Sequence, residues 1–210
     1  IHTTAYYSTT FRDWARVNTI GGQSINNILG NPTQFAIPYQ IMIGQANGSI
    51  DYQSAARTYI SKGIQSNAQF SYTNGEVKHK WQLGVRIHSD QADRYATRSN
   101  YTMTNGTMIL NSVGVKGNQE NQIRNAHAIA SYINYDIEYK GLKISPGVRY
   151  ERIEFDFQNF GNNDNGRLGA GLRSATNTMS IVLPGIGFNY AFKNGTDLFA
   201  GIHKGFSPPG

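Results

Sequence analysis

The chain contains no cysteine, which excludes a disulfide framework and any thiolate metal site. It is poor in charge: Asp, Glu, Lys and Arg make up 15% of its 210 residues, against about 25% in an ordinary soluble domain. No apolar run approaches the ~20 residues of a membrane-spanning helix, and mean hydropathy is −0.47. No run of Lys or Arg exists either. The net charge of +6 therefore favours an anionic partner without marking nucleic acid as that partner. What is abundant is Gly (23) and Tyr (13). Little charge, many Tyr and no long apolar run suit a membrane β-barrel, whose lipid-facing and lumen-facing residues alternate. The chain opens directly in strand-like sequence at Ile1-His2-Thr3-Thr4 and stops at Ser207-Pro208-Pro209-Gly210 without a closing strand. It reads as one domain over 1–210 and as a portion of something larger.

Period-two alternation predicts seven strands, at about 3–18, 57–72, 78–94, 127–139, 142–157, 178–193 and 196–206. In the third, Trp81, Leu83, Val85 and Ile87 alternate with Gln82, Gly84, Arg86 and His88. In the first, Ala5, Tyr7 and Phe11 oppose Tyr6, Arg12, Trp14 and Arg16. Tyr135, Tyr139, Tyr150 and Tyr190 are candidates for an interfacial aromatic girdle. A soluble β-sandwich also alternates, but its strands usually run about 5–6 residues, and several here pass ten.

The connections alternate in length. Short turns are predicted at Thr73-Asn74-Gly75-Glu76, Lys140-Gly141 and Lys193-Asn194-Gly195-Thr196, where Asn-Gly pairs supply the positive φ of tight hairpins. The other connections, about 19–56, 95–126 and 158–177, are long and rich in Asn, Gly, Gln and Ser. Outer-membrane barrels have this asymmetry, with short periplasmic turns and long extracellular loops.

Several motifs carry a family resemblance. Gly84-Val85-Arg86-Ile87-His88-Ser89-Asp90-Gln91-Ala92-Asp93-Arg94 followed by Tyr101-Thr102-Met103-Thr104-Asn105-Gly106 resembles the GxRxHxDxxDR…YxMxNG signature of TonB-dependent receptors of the ferric citrate (FecA) type. Phe11-Arg12-Asp13-Trp14, Arg57-Thr58-Tyr59-Ile60-Ser61-Lys62-Gly63 and Ser145-Pro146-Gly147-Val148-Arg149-Tyr150-Glu151 are similar to further segments of that group. So are Leu183-Pro184-Gly185-Ile186-Gly187 and the ending from Leu198 to Pro209. The resemblance implies an all-β, transmembrane antiparallel barrel of about 22 strands around a plug domain. The present chain would supply about seven strands of it, without the plug and the C-terminal strands. It implies import of a ferric chelate, with TonB as partner through the missing plug segment and outer-membrane lipid and lipopolysaccharide around the wall.

No catalytic group, resident cofactor or bound metal is expected; iron would be cargo. An anionic iron-carboxylate needs cations that keep their charge and present several donors, which Arg does through its planar fork. Arg12, Arg16, Arg57, Arg86 and Arg94 are the candidate ligand residues. The competing role for such side chains is bracing the wall or holding the plug, and His88, Asp90, Asp93, Arg149 and Glu151 are expected in a lumen network of that kind. The five His lack paired zinc spacing, and Asn162-Asn163-Asp164-Asn165-Gly166 lacks the terminal Glu of a calcium loop. Other siderophores, an oligosaccharide, or a structural or adhesin barrel are the rival functions. A lipase is disfavoured because no GxSxG motif is present.

Overall fold

The computed structural model describes residues 1–207. Its elements are β1 (His2–Ile20), β2 (Gln23–Ser24), α1 (Ile25–Gly30), α2 (Ala36–Met42), β3 (Gly48–Asn74), β4 (Val77–Thr104), β5 (Thr107–Ser112), β6 (Glu120–Tyr139), β7 (Leu142–Asn159), β8 (Arg173–Ala191) and β9 (Asp197–His203). They form one sheet in the order β2-β1-β3-β4-β6-β7-β8-β9, with β5 paired to β4. Every pairing is antiparallel. The Pro208 and Pro209 of the C-terminal motif lie outside the described residues.

All seven expected strands are present, and several are longer than the alternation predicted. The largest differences are at β3 and β4. Residues 48–56 and 95–104 were expected to be loop, yet they pair with one another from Gly48↔Met103 to Ser54↔Thr97. Their ladder continues past the membrane level because strand pairing needs only backbone groups, whatever the side chains. At the end of β4 a further hairpin turns at Asn105-Gly106, with φ of 48° and 76°, the left-handed pair a type I′ turn demands. Lys140-Gly141 does the same on the opposite side, with φ of 46° and 86°. A Cβ at Gly141 would also stand 2.6 Å from the carbonyl oxygen of Ala191. The remainder of the 19–56 connection folds into α1 and α2, whose Ile28 and Ile41 pack on Ile20 and Ile50. Ser24 caps α1 by accepting the Asn27 amide at 3.2 Å, as Ncap serines do.

Few side chains are buried, and those four isoleucines form the core cluster. The rest of the sheet is a wall rather than a globule. Across it, directly paired residues share a face. One face carries rows such as Phe70–Trp81, Ala68–Leu83–Ile133–Val148–Pro184 and Ile64–Ile87–Ile129, most of them exposed. From Tyr72 to Ile64 this apolar band spans about 26 Å along the strand, or roughly 20 Å of depth once the strands are tilted. The next row up, Lys62–Ser89–His127–Glu154–Thr178, is polar and marks the outer boundary. At the short-turn end, stacked rings belt the band: Trp81 on Tyr135 at 4.2 Å and Tyr72 on His79 at 4.5 Å. His79 also meets the Tyr135 hydroxyl at 2.6 Å. Tyr139 and Tyr190 lie in one row beyond that belt, joined through Leu142, whereas Tyr150 sits near the upper edge of the band.

Candidate ligand site on the polar face

Above the boundary, the opposite face gathers arginines. Arg12 pairs with Arg57, and Arg57 with Arg94. The row then continues through Gln122 and Asn159 to Arg173. Adjacent strands lie about 4.8 Å apart, so three guanidinium groups stand side by side. Arg124, one row lower, stacks on Phe157 at 5.2 Å and reaches Gln122 at 3.5 Å. Arg12 lies 6.0 Å over the Tyr59 ring. One carboxylate serves the group: Glu120 meets Arg94 at 3.0 Å and Arg57 at 3.8 Å. The Arg57 Nε is buried without a hydrogen-bond partner. Among the described residues, four cations stand against one carboxylate, which leaves net positive charge on this part of the polar face.

The structure separates the other two arginines from this group. Arg16 lies four residues above Arg12 on β1, bonded to Gln53 at 3.4 Å and set over Trp14. Arg86 lies eight residues below Arg94, roughly 26 Å along the strand, so it cannot share a small ligand with the rim row. It belongs to a different cluster. Its Nε donates to the Tyr6 hydroxyl at 3.1 Å and its Nη2 reaches His88 Nδ1 at 3.2 Å. Tyr6 also meets Nδ1, at 2.5 Å, and His88 Nε2 meets Asp90 at 2.7 Å. A guanidinium can only donate, so Nδ1 accepts from Arg86 and the N–H on Nε2 faces Asp90. Arg149 and Glu151 form an ion pair on the same face.

Asp93 is not in that network, contrary to the sequence expectation. Alternation along β4 puts it on the apolar-face side, where Arg167 of the β7–β8 connection grips it through two bonds of 2.6 and 3.1 Å. Arg124 and Glu120 lie in the part of β6 before His127, where the sequence predicts loop. Carrying its alternation back through Ile123 and Arg124 would have exposed both.

Comparison with known proteins agrees with the fold. The family described as TonB dependent receptor-like, beta-barrel, matches across residues 1–210. The chain belongs to the TonB-dependent receptors. It is therefore an outer-membrane β-barrel domain of a family of transport receptors. Among solved structures the chain is similar to the ferric citrate transporter FecA in its unliganded form, at 17% identity and a TM-score of 0.52, over 74% of this chain and 23% of that one. It is also similar to the siderophore receptor PiuA from Acinetobacter baumannii, at 12% identity and a TM-score of 0.49, over 90% and 27%. At 17% identity the likeness to FecA concerns the fold alone, and the chain spans about a quarter of either receptor's length. No curated protein matches it.

On the outer side of the receptor, the β7–β8 connection is built around Arg167. Its guanidinium stacks on Tyr95 at 4.2 Å and near Phe160 at 5.3 Å, and donates to the buried Asn121 at 2.7 Å. Tyr95 bonds the carbonyl of Asn165. Asp164 turns the segment, accepting the amides of Leu168 at 2.8 Å and Gly169 at 2.7 Å. These donors, Leu168 first, hold its carboxyl below the usual aspartate range. A depressed folded pKa makes this contribution present above the ordinary value of about 3.9 and lost as pH falls through the lower folded value. Hydrogen exchange at Leu168 and Gly169, corrected for intrinsic rates, should thus stay slow down to about pH 4 and quicken below it. Quickening already between about pH 6 and 5 would refute the assignment.

Proposed function

We propose that the whole receptor binds and imports a ferric chelate, ferric dicitrate or a similar iron-carboxylate complex, and that this chain is a wall portion of its plugged barrel. The observation that carries this reading is the row Arg12–Arg57–Arg94 with Arg124 one row beneath it, in which Glu120 pairs with Arg57 and Arg94 only. Guanidinium forks match carboxylate oxygens in pairs, and an anion entering the row would relieve the repulsion that adjacent like charges impose. The site lies on the polar face, about 20 Å above the outer end of the apolar band, where an external ligand arrives first. The resemblance of the motifs to the ferric citrate group, and the name of the FecA structure, support the same cargo. TonB and the plug, and outer-membrane lipid with lipopolysaccharide around the apolar band, complete the proposed set of partners.

Growth of an iron-starved mutant carrying the full-length receptor tests the cargo. Ferric citrate should restore growth, whereas hydroxamate and catecholate chelates should not. Rescue confined to the latter two would remove the iron-carboxylate reading and leave the receptor with another siderophore.

A further inference from the structure

Below the rim, at the level of the apolar band, the polar face has a recess lined by Gln65, Asn67, Arg86, Tyr132 and Arg149, with a volume of about 170 Å³. Large and small residues alternate to make it. Tyr132 lies over Gly84, where an added Cβ would meet its ring at 2.1 Å, and Ala130 sits between Arg86 and Glu151 in their row. Val85 and Ala130 also line it, and its polar part presents mainly donors: two guanidinium forks, a phenol and two amides. The nearby carboxylates are already engaged, Glu151 by Arg149 and Asp90 by His88. Arg86 has no carboxylate partner among the described residues. Tyr6 and His88 take two of its donors and fix its plane; an arginine has five, so the rest of the fork is left to face the recess.

We propose that this recess is a second anion subsite, which takes a single carboxylate or phosphate group of a small solute at mid-wall, with Arg86 as its principal ligand. A fork held by Tyr6 and His88 spends little rotamer entropy on binding, and the low dielectric of a membrane-level wall strengthens a cation's pull on an anion. The subsite is separate from the rim and does not depend on which cargo the rim selects.

The test uses the full-length receptor in outer membranes, with Asn67→Cys as a reporter thiol in a background without other accessible thiols; this chain contributes none. Labelling rates are compared for an anionic and a cationic methanethiosulfonate reagent. The anionic reagent should be favoured, and Arg86→Ala should lower the anionic-to-cationic rate ratio about tenfold. Arg86→Lys should keep most of the preference, and free citrate or inorganic phosphate should slow labelling only when residue 86 is cationic. A ratio unchanged by Arg86→Ala would overturn the proposal. So would a thiol that no reagent reaches, since the recess would then be filled by the rest of the receptor. Heat-modifiability on gels confirms that each variant is a folded barrel. Failure of ferric citrate to support growth would refute the cargo reading and leave this ratio fully informative.

Discussion

Replacing Arg57 by alanine in the full-length receptor should weaken ferric citrate binding by roughly 10- to 100-fold, the worth of one charge-assisted, forked contact. Arg57 is chosen because it stands between Arg12 and Arg94 in the row, so its removal opens a gap in the middle of the cationic surface. Arg12→Ala should cost less, since Arg12 has one arginine neighbour in that row and leans on Tyr59. Glu120→Gln should act in the opposite direction. It deletes the carboxylate that competes for Arg57 and Arg94, and affinity should rise severalfold while the folded barrel loses some stability. Binding of radiolabelled ferric citrate to de-energised cells, at two salt concentrations, measures all three. If the arginines only brace the wall, both Arg57→Ala and Glu120→Gln would reduce the amount of folded receptor and leave the affinity of what remains unchanged. Opposed shifts in affinity are what a ligand site requires.

The second large effect is expected at Arg167. Alanine there removes two bonds to Asp93, one to Asn121 and the plate between Tyr95 and Phe160. The pair is sheltered rather than sealed, with Arg167 at 16% and Asp93 at 33% exposure. The loss should therefore fall at about 2 kcal/mol, below the 3–5 of a fully buried pair broken on one side. A segment held by one such clasp opens locally without the sheet. Limited proteolysis of intact cells should then cut within 160–172 some tens of times faster in Arg167→Ala, with heat-modifiability of the barrel unchanged. Asp93→Asn keeps shape and a hydrogen-bond acceptor but loses the charge, and it should give an intermediate rate. Equal cleavage in all three proteins would show that the connection is held by something else.

How much of this was legible beforehand follows from what each residue's position depends on. The face of a side chain depends only on parity along its own strand. Alternation puts Arg12 and Arg16 on the polar face, and the start of the second strand puts Arg57 level with them. Parity does not reveal that Arg86 lies eight residues below Arg94, so all five arginines read as one group. The ends of strands depend instead on whether a partner backbone is within reach. Nothing in 48–56 or 95–104 advertises that these polar stretches pair with each other, so they read as loop. The Asn105-Gly106 pair is a turn signal in its own right, and it also falls inside the YxMxNG motif. Asp93 shows a subtler loss. Its place one residue before Arg94 puts it on the other face by simple parity, and only the motif that groups it with Asp90 drew it to the lumen. Arg167 had no periodic context, and its role is set by a loop fold that depends on Asn121 and Tyr95 from distant strands.

The paired strands β3 and β4, of 27 and 28 residues, carry both the rim arginines and the recess around Arg86. A continuous antiparallel ladder joins those two levels, from Arg57↔Arg94 to Gln65↔Arg86. Such a ladder stretches very little, so the hairpin behaves as a ruler. Its two cationic marks stand roughly 26 Å apart along the strand, farther than any single side chain can reach. One small anion cannot bridge the two marks, so an anion on the rim row leaves the fork of Arg86 free.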